Sequence, residues 1–291
     1  MILDTTEFWS KDASVIEDQS WDLAYSLTCE IANMHVVTIP IYKPQPNAVE
    51  RFNLAVSLSV LGEDTPIVLL IPQGLDVSEY VTMAPSAIKL EVDPGYFRSI
   101  STYSQLCLQP SLYRALAHFD YVLLLQPDAI LLRNDLRQWA DLGYAYIGAP
   151  IGVAINVLDK GLLDGLGENT VAFTHFVPGT VGNGGFSLRK VSATIDVLER
   201  HASVARRFAL QGLSEDLFYA ACAVFDPAFR VPTPLEAARF SIEMHGPQFM
   251  EVTRQIPVGL HAWDRYDTHY WLQIFALLGF KPPIVPAKVQ P

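Results

Sequence analysis

The stretch from Phe119 to Pro150 constrains the fold more than any other part of the sequence. It opens with an unbroken apolar run, Tyr121 to Leu125, whose length and β-forming side chains predict a buried central strand. Pro127 cannot donate a hydrogen bond to a sheet, so the strand is expected to stop there. Asp128 then lies at the carboxyl end of a central strand, where open α/β sheets bind their ligands.

Two interpretations of Asp128 are open from its spacing. A carboxylate in a turn commonly accepts hydrogen bonds from its own backbone, and spacing alone favours this interpretation. A lone carboxylate at a strand end, with the short apolar run 130–132 behind it, also suggests a cation held against an anionic ligand. The rest of the chain has to decide between them.

Apolar runs that predict strands alternate with segments of helical periodicity through the first half of the chain. The expected strands cover residues 35–42, 66–71, 88–92, 121–125 and 144–147, and the expected helices cover 47–61, 77–83, 106–119 and 136–142. This alternation predicts an α/β fold with a mostly parallel central sheet flanked by helices on both faces.

The pattern changes after Pro150. Residues 151–181 are rich in glycine and predict a long functional loop. Further strands are expected over 181–188, 229–231 and 258–263, and further helices over 191–210, 215–224 and 266–279. We therefore predict one domain over residues 35–280, with an N-terminal helical extension over 1–34 and a Pro-rich tail over 281–291.

The negative charge of the chain limits the classes of molecule that it can bind. A net charge of −11 argues against nucleic acid, whose phosphates require clustered Lys and Arg. An acidic protein that binds a diphosphate needs a metal ion or a few local basic groups. The three widely spaced cysteines fit a reducing cytoplasm. No signal peptide or transmembrane run is visible, so any contact with the inner face of a membrane is expected to be peripheral.

The segment Gly182-Asn183-Gly184-Gly185 is the sharpest local motif. Its glycines allow backbone N–H groups to approach a sugar or phosphate closely, although a tight turn before a strand explains them equally well. The motif lacks the third glycine of a dinucleotide fingerprint, where Ser187 stands, and it lies in the middle of the chain. A nucleotide-dependent oxidoreductase is therefore disfavoured.

Two further groups have both a structural and a chemical interpretation. Glu215 and Asp216 follow Ser214 at a helix start, where acids favour the helix dipole, but an ionised Asp216 there is also suited to act as a general base. His261 lies in an aromatic stretch and is expected to be a structural residue when taken alone. Imidazole also suits a divalent ion already held by a carboxylate and phosphates.

Four features have now been described: Asp128 at a strand end, the glycine motif, the helix start at Ser214–Asp216 and the late His261. In this order along the chain they resemble the landmarks of the GT-A glycosyltransferase superfamily. The chain more closely resembles a bacterial domain family within that superfamily whose function was formerly unassigned. The segments that carry the resemblance are YFRSISTY at 96–103, YVLLLQPDAIL at 121–131, YAYIGAP at 144–150, VGNGGFSLRKV at 181–191, SED at 214–216 and FSIE at 240–243. The likeness runs from about residue 35 to residue 263.

The resemblance implies a role for individual residues. Asp128 matches the last acid of the D-x-D metal motif and His261 the late metal ligand, while Gln126 stands where the first acid usually lies. Asp216 matches the catalytic base of inverting members, with Glu215 as its neighbour. The nucleotide-sugar-binding residues implied are Pro40, Tyr42, Tyr103, Gln126, Asp128, Asn183, Gly184 and Gly185.

The resemblance also implies an activity. A GT-A (Rossmann-like) fold of this kind transfers a sugar from a UDP- or GDP-linked donor to a glycan or lipid-linked acceptor. Mn²⁺ or Mg²⁺ assists the departure of the diphosphate, and a surface polysaccharide is the expected product. The alternative is a non-catalytic nucleotide- or sugar-binding protein on the same fold, which the glutamine at position 126 permits.

Overall fold

The computed structural model describes residues 35–151, 162–163 and 180–285. The predicted helical extension over 1–34, most of the predicted loop over 151–181 and the end of the Pro-rich tail lie outside the described residues. The described part contains a six-stranded sheet, a three-stranded sheet and a two-stranded sheet.

The six-stranded sheet has the strand order β3-β2-β1-β4-β9-β6, and strands β1 to β4 run parallel to one another. The strands are β1 (His35–Pro40), β2 (Ile67–Pro72), β3 (Ile88–Val92), β4 (Tyr121–Leu125), β5 (Ala129–Leu131), β6 (Tyr146–Ile147), β7 (Ala149–Pro150), β8 (Val181–Gly182), β9 (Phe186–Lys190), β10 (Ser241–Ile242) and β11 (Gly259–His261). The predicted α/β class and mostly parallel sheet are confirmed.

Helices cover both faces of the six-stranded sheet. They are α1 (Ala48–Leu61), α2 (Ser78–Met83), α3 (Ile100–Cys107), α4 (Pro110–Arg114), α5 (Leu136–Asp141), α6 (Val191–Arg200), α7 (Ala202–Leu210), α8 (Glu215–Phe225), α9 (Pro234–Phe240), α10 (Gly246–Thr253) and α11 (Thr268–Leu277).

Side chains of the central strand β4 alternate between two hydrophobic cores. Val122 and Leu124 pack in one core with α3, α4, α6, α7 and α8. Leu123 and Leu125 pack in the other core with α1, α2 and α5. Each of these side chains is fully buried and contributes about 1.5–3 kcal/mol of hydrophobic free energy, so β4 is anchored on both faces.

The direction of β9 places the glycine motif. This strand runs antiparallel to β4, with Phe186 opposite Leu125 and Lys190 opposite Tyr121. The start of β9 therefore lies beside the end of β4. The residues before β9, Asn183 to Gly185, meet the turn that follows β4.

The three-stranded sheet, β10-β11-β5, joins the later part of the chain to the same place. Strand β5 pairs antiparallel with β11, and Ala129 lies opposite His261. A third core supports this sheet, in which the rings of Trp263 and Phe275 meet edge to face with centroids 4.9 Å apart.

Two predicted helices are broken in the structure. The helix predicted over 106–119 is wrong in its bounds, because α3 ends at Cys107 and Pro110 opens α4. Proline has no N–H for a preceding helical turn and favours the first position of a new helix. The helix predicted over 191–210 ends and restarts at His201, whose Nε2 lies 2.9 Å from a carboxylate oxygen of Asp226.

The region before β11 differs most from the prediction. The strand predicted over 229–231 is wrong, since Arg230 only accepts one hydrogen bond there, from the N–H of Ala145 at 2.7 Å. Helices α9 and α10 and strand β10 were not predicted. The start of α9 has a recognisable signal, because Thr233 accepts a hydrogen bond from the N–H of Glu236 and proline takes the first helical position.

Candidate active site

The turn after β4 is held by hydrogen bonds to the glycine motif and to α1. The N–H of Gln126 donates to the carbonyl of Gly185 at 2.8 Å, which ties the turn to the glycine motif. The buried side chain of Asn53 in α1 donates to the carbonyl of Pro127 at 3.1 Å and accepts a bond from the indole N–H of Trp263 at 2.8 Å. The backbone that presents Asp128 is therefore fixed, which a ligand-binding carboxylate requires.

Asp128 and His261 face each other across the β5–β11 pair. The Nε2 atom of His261 lies 3.3 Å from Oδ1 of Asp128, close enough for an ion pair but without the alignment of a hydrogen bond. The Nδ1 atom of His261 lies 3.2 Å from Oε1 of Glu243. Arg265 donates to the second oxygen of Asp128 at 2.6 Å.

The charged side chains around His261 favour one another's ionised forms. Burial alone disfavours the imidazolium of His261, but the carboxylates of Asp128 and Glu243 outweigh it and raise the pKa of His261 to about 10. Burial likewise opposes ionisation of Asp128, but contact with His261 and the charge of Arg265 hold the pKa of Asp128 below its usual value. Asp128 is therefore a carboxylate at neutral pH.

The glycine motif faces this pair. Asn183 has a left-handed backbone with φ of 67°, and its side-chain oxygen accepts a hydrogen bond from the N–H of Gly185 at 3.2 Å. Its own N–H donates to Oδ2 of Asp216 at 3.0 Å. A Cβ atom at Gly185 would clash with the ring of His261, so only glycine permits this close approach.

Two buried polar atoms in this group have no hydrogen-bond partner among the residues that the structure describes. They are Nδ2 of Asn183 and Oδ1 of Asp216, whereas Nε2 of His261 has its ion pair with Asp128. Leaving a buried polar atom unpaired costs about 1–3 kcal/mol, so such atoms are rare except where a ligand or water completes them. Their grouping beside Asp128 indicates a ligand-binding site.

Glu215 is a correction to the predicted catalytic pair. Its side chain is 5% exposed, and it pairs with the fully buried guanidinium of Arg189 at 3.0 Å. Its other oxygen accepts a hydrogen bond from the hydroxyl of Ser104 at 3.0 Å. Both carboxylate oxygens are therefore committed to interior partners, and Glu215 has a structural role.

Tyr103 packs against the core that contains α3 and α8. Its ring packs 6.0 Å from that of Phe97, and its hydroxyl is buried. Burial, followed by the nearby Cys107 and Glu215, raises the pKa of Tyr103 well above its ordinary value. The structure thus places this hydroxyl in the interior near Glu215.

The residues after β1 lie at the open side of the site. Pro40 ends β1 and is buried, whereas the ring of Tyr42 is 51% exposed. The Tyr42 hydroxyl donates to Glu50 at 2.9 Å, and the ammonium of Lys43 pairs with Glu50 at 2.6 Å. Burial, Glu50 and then Asp128 raise the pKa of Tyr42, so this ring is electrostatically coupled to Asp128.

Oδ1 of Asp128 and Nε2 of His261 are placed to hold a divalent cation, which would have to displace the proton that the raised pKa of His261 keeps on the ring. Two neighbouring ligands of an octahedral ion, each about 2.1 Å from it, lie about 3 Å apart, and Oδ1 and Nε2 are separated by 3.3 Å. Glu243 holds the opposite nitrogen of His261, as carboxylates commonly do behind metal-bound histidines. The described residues contain no group of three or more acidic, His or Cys ligands around one position. A bound ion would need further ligands from a substrate.

Arg265 and Glu243 were not identified from the sequence as site residues. Arg265 follows His261 by four positions and Glu243 ends the FSIE segment. A basic residue near the late histidine was the available signal for Arg265. For Glu243 the signal was the FSIE match, but its place beside His261 follows only from the pairing of β10 with β11.

Solved structures with similar coordinates define the class of this fold. The galactosyltransferase LgtC, in complex with donor and acceptor sugar analogs, aligns with a TM-score of 0.51 and 18% identity over 87% of this chain and 98% of that chain. An active-site mutant of LgtC aligns with a TM-score of 0.50 and 19% identity over the same shares. The likeness defines a fold, and that fold is the GT-A fold of glycosyltransferases.

The family follows from the sequence. The sequence model of the family described as "Protein of unknown function (DUF5672)" matches residues 88–261, more than half of the 291 residues, and the chain belongs to this family. No curated protein sequence matches the chain. Among the described helices, none has the length and apolar character needed to cross a bilayer.

Proposed function

We propose that this protein is a glycosyltransferase that uses a UDP- or GDP-linked sugar donor. Its acceptor is a hydroxyl of a glycan or lipid-linked molecule in surface polysaccharide assembly. The observation that carries the proposal is the grouping of two unpaired buried atoms, on Asn183 and Asp216, beside the ion pair of Asp128 with His261. The GT-A fold supports it, because the group lies at the carboxyl end of the parallel strands.

Asp216 is proposed as the general base. Its Oδ2 atom is occupied by the N–H of Asn183, which leaves the buried Oδ1 atom to accept a proton. The acceptor oxygen would form a bond to the anomeric carbon of the donor while the bond from that carbon to the phosphate oxygen breaks. The acceptor proton passes to Oδ1, the nucleoside diphosphate leaves with the electron pair, and the configuration inverts.

Positive charge for the diphosphate has two proposed sources. Asp128 and His261 would hold Mn²⁺ or Mg²⁺, which when bound neutralises charge on the leaving group. Arg265 lies against Asp128 and is 50% exposed, so its guanidinium is available to the same phosphates. The exposed ring of Tyr42 and the end of β1 at Pro40 are proposed to hold the nucleobase, and Gln126 and the glycine motif the donor sugar.

A non-catalytic nucleotide- or sugar-binding protein is the second candidate. It is favoured by Gln126 in place of the first acid of the metal motif and by the ion pair of Asp128 with Arg265. Both features weaken the case for a tightly bound ion without weakening that for a bound anion.

Thermal unfolding with UDP, GDP and ADP, each with and without Mn²⁺, tests the binding site. A ligand at 100 times its Kd adds about 2.7 kcal/mol of stability, which raises the Tm by about 5 °C. Stabilisation by one diphosphate that requires Mn²⁺ and is absent in Asp128→Ala supports the proposed site. Stabilisation by none of them contradicts the proposed glycosyltransferase and also a binding protein whose ligand is a nucleotide.

A transfer and donor-hydrolysis screen over UDP- and GDP-linked sugars then separates the two candidates. Turnover of one donor supports the glycosyltransferase. Diphosphate binding without turnover of any donor supports the binding protein instead.

A further inference from the structure

The glycine motif rests on a buried ion pair. Arg189 in β9 is fully buried, and its Nη2 atom lies 3.0 Å from Oε1 of Glu215, the first residue of α8. Neither residue has a part in the proposed chemistry. The pair lies where the glycine motif meets α8, the helix that carries Asp216.

Stability alone does not account for this pair. Removing two charges from water costs about as much as their attraction returns, and well-packed apolar side chains of similar volume often serve as well or better. The pair is also fully enclosed. Arg189 donates to the hydroxyl of Tyr113 at 2.6 Å, and its guanidinium lies 5.3 Å from the ring centre of Tyr146 and 5.1 Å from that of Tyr219.

The Arg189–Glu215 pair contacts the loop formed by the glycine motif. The carbonyl of Gly184 accepts a bond from the Ser187 hydroxyl at 3.2 Å and a longer one from Nη2 of Arg189 at 3.5 Å. Glu215 packs so closely on Gly184 that a Cβ atom there would clash with its carboxylate. The next residue of the helix, Asp216, accepts the N–H of Asn183. The loop and the first turn of α8 are therefore joined through both members of the pair.

We infer that the Arg189–Glu215 pair is a positioning device that holds the glycine motif and Asp216 in one fixed arrangement. Directional bonds from the guanidinium and the carboxylate define where the Gly184 peptide lies relative to the start of α8. Apolar side chains of the same volume would fill the space without fixing that direction. The catalytic meaning of this inference rests on the proposed function, but the positioning itself is measurable without turnover.

The test replaces the pair with apolar side chains in Arg189→Met/Glu215→Leu. Hydrogen exchange is followed by mass spectrometry in peptides that cover residues 181–186. We expect exchange in these peptides at least tenfold faster than in wild type, because the Asn183 and Gly185 N–H groups lose their fixed acceptors. Exchange in peptides from β1 and β4 should be unchanged, and the Tm should stay within about 5 °C.

Two further variants separate positioning from charge and from general damage. Glu215→Gln keeps the shape and one acceptor oxygen for Arg189, and its NH₂ group can donate to the Ser104 hydroxyl, so loop exchange should remain within about threefold of wild type despite a lower Tm. The half-exposed pair Arg114–Glu199 is the matched control, and Arg114→Met/Glu199→Leu should alter neither loop exchange nor turnover.

Kinetics with a donor that wild type turns over give the second readout. The apolar double variant should lose at least tenfold in kcat while its affinity for the nucleoside diphosphate stays within about threefold, because the base and the glycine motif move while Asp128, His261 and Arg265 stay. Unchanged loop exchange in the folded double variant overturns the inference. If wild type turns over no donor, the proposed function fails, and the exchange comparison still decides the positioning role.

Discussion

The substitution Asp216→Asn tests the proposed base with little disturbance of its surroundings. In the native site one carboxylate oxygen accepts the N–H of Asn183 at 3.0 Å and the other is buried and unpaired. The amide oxygen of asparagine can take over the first bond. Its NH₂ group then occupies the position of Oδ1. There it can donate a hydrogen bond but cannot take the proton from the hydroxyl of the sugar acceptor.

The expected loss can be stated in two parts. General-base catalysis contributes about 10²–10⁴-fold to rate, so kcat should fall by that factor, which corresponds to about 3–5 kcal/mol in activation free energy. The folded state should lose little. Asp216 lies in the first turn of α8, where a negative charge contributes about 0.3–1 kcal/mol through the helix dipole.

The assay measures nucleoside diphosphate release with saturating donor and acceptor, together with diphosphate affinity by calorimetry. Affinity should stay within about twofold, because Asp216 is placed on the acceptor side of the reaction. Glu199→Gln, a surface change of the same chemistry, is the control and should leave kcat unchanged. A kcat for Asp216→Asn within threefold of wild type would refute the assignment of the base.

Three further changes test the rest of the structure. Asp128→Ala should abolish metal-dependent diphosphate binding in calorimetry, and unchanged affinity would remove the metal role. Gly185→Ala should lower diphosphate affinity at least tenfold, because the added Cβ displaces His261; native affinity would contradict that clash. Burial opposes ionisation of Asp226, but the hydrogen bond with His201 lowers its pKa. The contribution of ionised Asp226 to the free energy of unfolding is present at neutral pH and is lost as the pH falls below about 4. Asp226→Asn should therefore cost about 1–2 kcal/mol at pH 7 in urea unfolding and less near pH 3; equal losses at both would contradict it.

The elements with a strong local signal were predictable. Hydrophobicity alone predicts strand β4 from its apolar run and also predicts the strand–helix alternation before it. The backbone chemistry of proline predicts where β4 ends. The site residues Asp128, Asn183, Asp216 and His261 also come together as the family resemblance implies. Their roles remain predictions until the variants are measured.

The failures share a physical cause, which is dependence on distant partners. Glu215 has the same local sequence context as Asp216, and only the buried guanidinium of Arg189 distinguishes an interior ion pair from a base. Glu243 acquires its position from strand pairing with a segment 18 residues later. The break at His201 has no glycine or proline to mark it, and its side chain is held by Asp226, which follows the end of α8.

The antiparallel pairing of β9 with β4 has a consequence for how this protein can change. Successive side chains of a strand point to opposite faces, so inserting or deleting one residue inside β9 would exchange Phe186 and Ser187 between the sheet's two faces. The same shift would carry the neighbouring Asn183–Gly185 segment about 3.4 Å along the strand. Length changes in this strand should therefore be far less tolerated than substitutions, and insertions that enlarge the substrate range should occur in loops away from it.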